Sequence, residues 1–115
     1  MRHQKIISGM CAAVSLSLVA ACAAAPPPKD RMAWAEATVR EAQAAGAEGV
    51  PSANAQLQRA RTEIQRARAL SAKNDNELAE SMLRRAAADA QLAIALAREA
   101  EAHAQALSQA RPVVE

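Results

Sequence analysis

From Met32 onward, apolar positions recur at helical spacing. Met32, Ala35, Val39 and Ala42 are three, four and three residues apart, which is one face of a helix. Asp30 suits its N-cap, and the pattern predicts a first helix to about Ala45. Gly46 and Gly49 bracket Ala47-Glu48, and Val50-Pro51 follow, making the strongest break after the prolines of residues 26–28. Ser52 can cap a second helix with the stripe Ala53, Leu57, Ala60, Ile64, Ala67 and Ser71. The polar run Lys73-Asn74-Asp75-Asn76 reads as a turn. Asp75 or Asn76 can cap the third helix, and Glu77 places a favourable charge in its first turn. That helix carries Ala79, Leu83, Ala86, Ala90, Ala93, Ala97, Ala100, Ala104 and Leu107, spaced by four and three without a slip. Sustained heptads of this kind are a coiled-coil-type signal. A second row, Leu78, Met82, Leu92 and Leu96, widens the apolar face, with Asp89 interrupting it. Pro112 ends the helix.

Short breaks make consecutive helices antiparallel neighbours. The expected fold is all-α: an antiparallel three-helix up-down-up arrangement, a long hairpin plus a shorter first helix, with alanine/leucine seams. Its limits are residues 31–111, with 112–115 as a tail. The third helix should span roughly 45–50 Å and the second only about 30 Å. The end from Ala97 to Leu107 should therefore overhang the start of helix two and lack an intramolecular partner. The whole Ala79–Leu107 stripe is the candidate interaction seam, for self-association or for a partner protein.

The front of the chain reads differently. Met1, Arg2 and Lys5 precede an apolar stretch from Ile6, which ends in Leu18-Val19-Ala20-Ala21-Cys22. A basic start, an apolar middle and small residues before a cleavage point form a secretory signal. The final run resembles the lipobox of bacterial lipoproteins, which implies cleavage between Ala21 and Cys22 and a lipid on the Cys22 thiol. Cys11 follows the bulky Met10 and would be removed with residues 1–21. One cysteine then remains, which leaves no internal disulfide. Pro26-Pro27-Pro28 favours an extended strand, so residues 22–30 read as a lipidated cysteine and a tether. Covalent lipid aside, nothing in the sequence points to a cofactor.

Removing the signal changes the charge argument. The formal charge of +2 comes from Arg2 and Lys5, so the mature chain is near neutral and the basic pI of the full chain does not point to nucleic acid. Alanine makes up about a third of the mature chain, far above ordinary usage, and Trp34 is the lone aromatic. Alanine forms helices well but buries little area. Close-packed helices therefore suit this chain better than a thick core. Trp34 fits either a membrane interface near the tether or a cover for the alanine core.

No reactive constellation stands out. His103 has only Glu99 one turn before it, whereas a metal site needs three or four convergent ligands. Gly46 and Gly49 lack the lysine and strand of a phosphate loop. Ser52, Ser71, Ser81 and Ser108 have no histidine and acid arranged around them. The chain reads as a non-enzyme with no small-molecule substrate. Charge is asymmetric only on helix two and the start of helix three, where Lys73 and Arg84-Arg85 add to two basic rows formed by Arg59 and Arg66, and by Arg61 and Arg68. These rows fit either an anionic lipid surface or the solvated margin of a seam.

The pattern Ala35, Val39, Ala42, Gly46-Ala47, then Leu57, Ala60, Ile64, Ala67, then Leu78-Ala79, Leu83, Ala86, Asp89-Ala90 and Ala93 is similar to alanine-rich bacterial envelope lipoproteins classed as a domain of unknown function. The likeness spans about residues 33–105. Relatives often have proline where this chain has Asn54, while here Pro51 comes earlier. Some relatives carry an OmpA-like domain that binds peptidoglycan after the helical unit, and none follows here. Murein lipoprotein is a second likeness, but its terminal lysine is replaced by Val113-Val114-Glu115. The lipoprotein resemblance implies outer-membrane location, because Ala23 stands where an inner-membrane retention signal would have aspartate. The expected role is a periplasm-facing, lipid-anchored scaffold or interaction protein. The alternative is a carrier module that opens Met82, Leu92 and Leu96 to a lipid or client, or shows its basic helix surface to anionic lipid.

Overall fold

The computed structural model describes residues 25–111. The signal segment, Ala21, Cys22 and residues 112–115 lie outside the described residues. Three helices follow in order: α1 (Lys29–Ala44), α2 (Pro51–Ala72) and α3 (Asn76–Gln109). A short 3₁₀ turn, Ala47–Gly49, joins α1 to α2. The described chain is all-helical, and α2 against α3 is its most extensive packing.

Ion pairs give the helix directions. Glu36 of α1 meets Arg68 of α2, while Glu48, just past α1, meets Arg61 at 2.7 Å. Rising numbers in one helix meet falling numbers in the next, so α1 and α2 are antiparallel. Arg31 reaches Glu80 at 3.7 Å, and Arg98 reaches Glu41 at 3.2 Å, so α1 and α3 run parallel. The up-down-up arrangement follows. One end, the base, holds the start of α1 and the α2–α3 turn. The opposite end holds the 3₁₀ turn and the free end of α3.

Alanine dominates the interior. Of the buried apolar residues, only Val39, Leu57, Ile64, Leu83 and Ile94 are larger. Side chains this small allow helix axes to approach to the low end of the usual range, about 8 Å. Leu57 and Leu83 are fully enclosed and fill the space that alanine leaves. Ala87 and Ile94 are buried as well, outside the single α3 stripe read from the sequence. They belong to a second face of α3, turned toward α1. Ile94 lines a cleft there with Trp34 and Thr38. Trp34 itself remains 44% exposed on the flank of that cleft.

The caps differ from the sequence expectation at two helices. Pro28, not Asp30, precedes α1, and Asp30 lies within its first turn. Its carboxylate faces the positive end of the helix there without capping it. Val50, not Ser52, precedes α2, whose first residue is Pro51. Proline at that position forfeits only an N–H that has no helical partner, so it starts the helix without a side-chain cap. Asp75 does stand at the N-cap of α3, although its side chain makes no capping bond.

The α2–α3 turn is closed by backbone bonds. The Asp75 N–H donates to the Leu70 carbonyl and the Asn74 N–H to the Ser71 carbonyl, both at 3.0 Å. These are the two bonds of a Schellman motif, with Asn74 in the left-handed position at φ 62°. Gly46 plays the same part after α1 at φ 83°. Nothing lies near a Cβ built there, so backbone conformation alone calls for glycine. Asn74→Gly is expected to stabilise the fold modestly. Asn74→Val is expected to cost about 1–2 kcal/mol, because a branched residue resists the left-handed region. Urea denaturation of both variants checks this; equal stability would remove the turn from the account.

Candidate functional site

The seam read from the sequence divides into two parts. Ala79, Leu83, Ala86, Ala90, Ala93 and Ala97 are buried. Ala97 is a correction to the expected overhang: it is 2% exposed, not open. The 3₁₀ turn packs on both α2 and α3 at the far end of the bundle. Ala100 is half-buried, while Ala104 and Leu107 are exposed. The overhang is therefore Ala100–Gln109, about 15 Å of helix at 1.5 Å per residue. The heptad spacing continues through it unchanged, so the same face that packs inside the bundle emerges bare. His103 lies on this overhang and is exposed.

The four arginines of α2 do not form one surface. Arg61 and Arg68 turn toward α1 and its turn, where they bind Glu48 and Glu36. The Arg61 guanidinium, with Gln43, holds the Glu48 carboxyl below its usual range. Arg59 and Arg66 lie exposed along the other margin of α2. Heptad spacing places each pair correctly in a row, but the two rows border different neighbours. The basic surface expected from all four is reduced to one row.

The α2–α3 margin away from α1 holds a feature that the sequence reading missed. Glu63 is buried, and its Oε2 has no hydrogen-bond partner among the described residues. Burial pushes its carboxyl above the usual range, and the neighbouring Asp89 carboxylate adds to that. Arg85, 3.8 Å from Glu63 Oε1, and Arg59 work in the opposite direction. A signal did exist in the sequence. Asp89 interrupts the apolar row of α3, and a hairpin turning at Asn74 brings Glu63 level with it.

Raised acids make stability depend on pH in a definite sense. The folded chain binds this proton more readily than the unfolded chain. Stability contributed by Glu63 therefore grows as pH falls from above its folded pKa toward the ordinary glutamate range, and is lowest above that window. Glu48, held low, acts in the opposite sense at more acidic pH. Glu63→Gln is expected to raise stability at pH 7.5 by about 1 kcal/mol, the scale of one unsatisfied buried acceptor. The gain should shrink at pH 5. Denaturation curves at both pH values check it, and an equal loss of stability at each would contradict the assignment.

Two of the open grooves at the base carry apolar lining. One lies between the start of α1 and the end of α2, lined by Pro27, Pro28, Met32 and Ser71. The other lies between α2 and α3, lined by Leu70, Leu78 and Met82, with Arg66 and Lys73 at its rim. Leu78 is 44% exposed there. The described part of the expected tether is not free of the bundle. Buried Asn76 donates from Nδ2 to the Ala25 carbonyl at 2.8 Å, and its Oδ1 accepts from Ser71 Oγ at 2.9 Å. Among the described residues, no helix is long and apolar enough to cross a membrane.

Comparison with known proteins gives one match. Residues 30–109 fit the family described as a domain of unknown function (DUF4398). No curated protein and no solved structure matches.

Proposed function

The chain belongs to the DUF4398 family, a domain of unknown function, and from that premise we propose that it is a small lipid-anchored helical protein of the bacterial envelope with a scaffolding or protein-interaction role. The observation that carries this reading is the bare continuation of the α3 seam. Ala100, Ala104 and Leu107 extend the packed face of the bundle past its closed end, with Leu107 58% exposed. A helix face built to pack, yet left without a neighbour, suits a partner helix. Alanine at two of these positions allows that partner a close approach.

The anchor rests on the sequence around Cys22. Lipid on that thiol would hold the base of the bundle near a membrane and direct the overhang into the periplasm. Ala23 after the cysteine favours the outer membrane. Intact mass and membrane fractionation check this frame. The native chain is expected to begin at Cys22 with a lipid-sized mass increase and to fractionate with the outer membrane, and Cys22→Ser should abolish both. An unmodified chain with no membrane association would remove the anchor.

Deleting the chain after Glu99 tests the overhang. The residues removed lie beyond the buried core, so the thermal midpoint should change little and the helical signal should fall only by the overhang Ala100–Gln109. Self-association, read by sedimentation, should be lost in the deleted chain, and a photoreactive group at position 107 of the full-length chain should crosslink to a second copy or to an envelope partner. Unchanged association would sink the scaffold reading. The carrier alternative draws on Leu92, which is 45% exposed in the row with Met82 and Leu96. Strong binding of a fluorescent apolar probe that is insensitive to the overhang deletion would favour it.

A further inference from the structure

The base of the bundle joins three features that the proposed role does not use: an apolar groove, a basic rim and a fixed chain end. Leu78 and Met82 of α3 face Leu70 of α2 across the groove. Arg66 and Lys73 stand at its edge. Beside it, Asn76 holds the Ala25 carbonyl at 2.8 Å. Cys22 is three residues before Ala25. A chain segment of that length reaches at most about 11 Å even when fully extended. A lipid on Cys22 would therefore keep the base within that distance of the bilayer surface, and not at the end of a longer free tether.

We propose that the base of the α2–α3 hairpin is a bilayer-contact surface, with Leu78 seated among phospholipid headgroups and Arg66 and Lys73 beside their phosphates. The inference rests on the lipid-anchor reading. Leucine flanked by long basic side chains suits the boundary between headgroups and acyl chains, because the stems lie along apolar surface while the charges stay hydrated. Charge alone does not select this end. Asp75 and Glu77 lie on the other side of Leu78, with Ser81 and Arg84, so the base is not strongly basic. Short reach and exposed apolar surface carry the choice.

Three leucines of similar exposure lie at different heights on α3: Leu78 at the base, Leu92 midway and Leu107 on the overhang. Full-length chain is expressed as Leu78→Cys, Leu92→Cys or Leu107→Cys. It is then labelled with an environment-sensitive fluorophore and reconstituted in phosphatidylethanolamine/phosphatidylglycerol vesicles that carry a quencher at headgroup depth. In the lipidated chain the Cys22 thiol is blocked, so only the introduced cysteine reacts. The label at 78 is expected to be quenched severalfold more than those at 92 and 107. Asn76→Ala, checked for helicity by circular dichroism, should reduce quenching at 78 by releasing the chain end. Equal quenching at all three positions, as for a bundle lying flat, would overturn the proposal, as would an unquenched label at 78 on a lipidated, vesicle-bound chain. A chain without the lipid mass that stays off the vesicles overturns both the anchor and the contact. Lipidation without contact overturns the contact alone.

Discussion

Close approach of α2 and α3 is the constraint on which the rest of the structure depends. Alanine occupies most of the shared seam, and alanine contributes little burial unless backbones come near one another. The heptad register must then hold along the whole interface, because a slip would drive Leu57 or Leu83 into space sized for a methyl group. The Schellman turn at Asn74 fixes that register from one end. The 3₁₀ turn, packed on both helices, lies at the other. α1 adds a third side through Val39 and Ala42, and it requires a second buried face on α3, supplied by Ala87 and Ile94.

The same closeness governs the charged margins. Arg61 and Arg68 are drawn to acids of α1 and its turn, which ties the shorter helix to the hairpin with exposed pairs worth little individually. On the opposite margin, narrow spacing buries Glu63 beside Asp89, where a wider seam would leave both hydrated. The described residues, nearly balanced in charge, thus distribute it unevenly. One side of the hairpin is neutralised by α1, and the other keeps Arg59 and Arg66 in solvent.

The two ends are unlike in a way that bears on the proposed role. The base is compact, with Ala25, Ser71 and Asn76 joined by hydrogen bonds and Leu78 partly bare. The other end is open, because α3 runs past its neighbours. In the proposed role, a base anchored through Cys22 and a projecting helix would together make a short post, which fits scaffolding better than enclosure of a ligand.

Much of the fold was legible because it is written in short-range periodicity. The stripes of α2 and α3, the turn at residues 73–75, the break after Ala45 and the unequal helix lengths follow from spacing and from glycine, proline and polar residues. Those features depend only on neighbours along the chain. Lipidation at Cys22 is proposed from the sequence alone, since Cys22 lies outside the described residues. The helix starts at Lys29 and Pro51 were less legible, since proline and backbone geometry displaced the side-chain caps that Asp30 and Ser52 seemed to offer. Tertiary structure alone decided which positions were covered. It buried Ala97, divided four arginines between two margins, placed Glu63 against Asp89 and set Ala25 on Asn76. Each of these outcomes depends on contacts between residues far apart in sequence. Periodicity gives the face of a helix, whereas the identity and reach of whatever packs on that face emerge only when the helices meet.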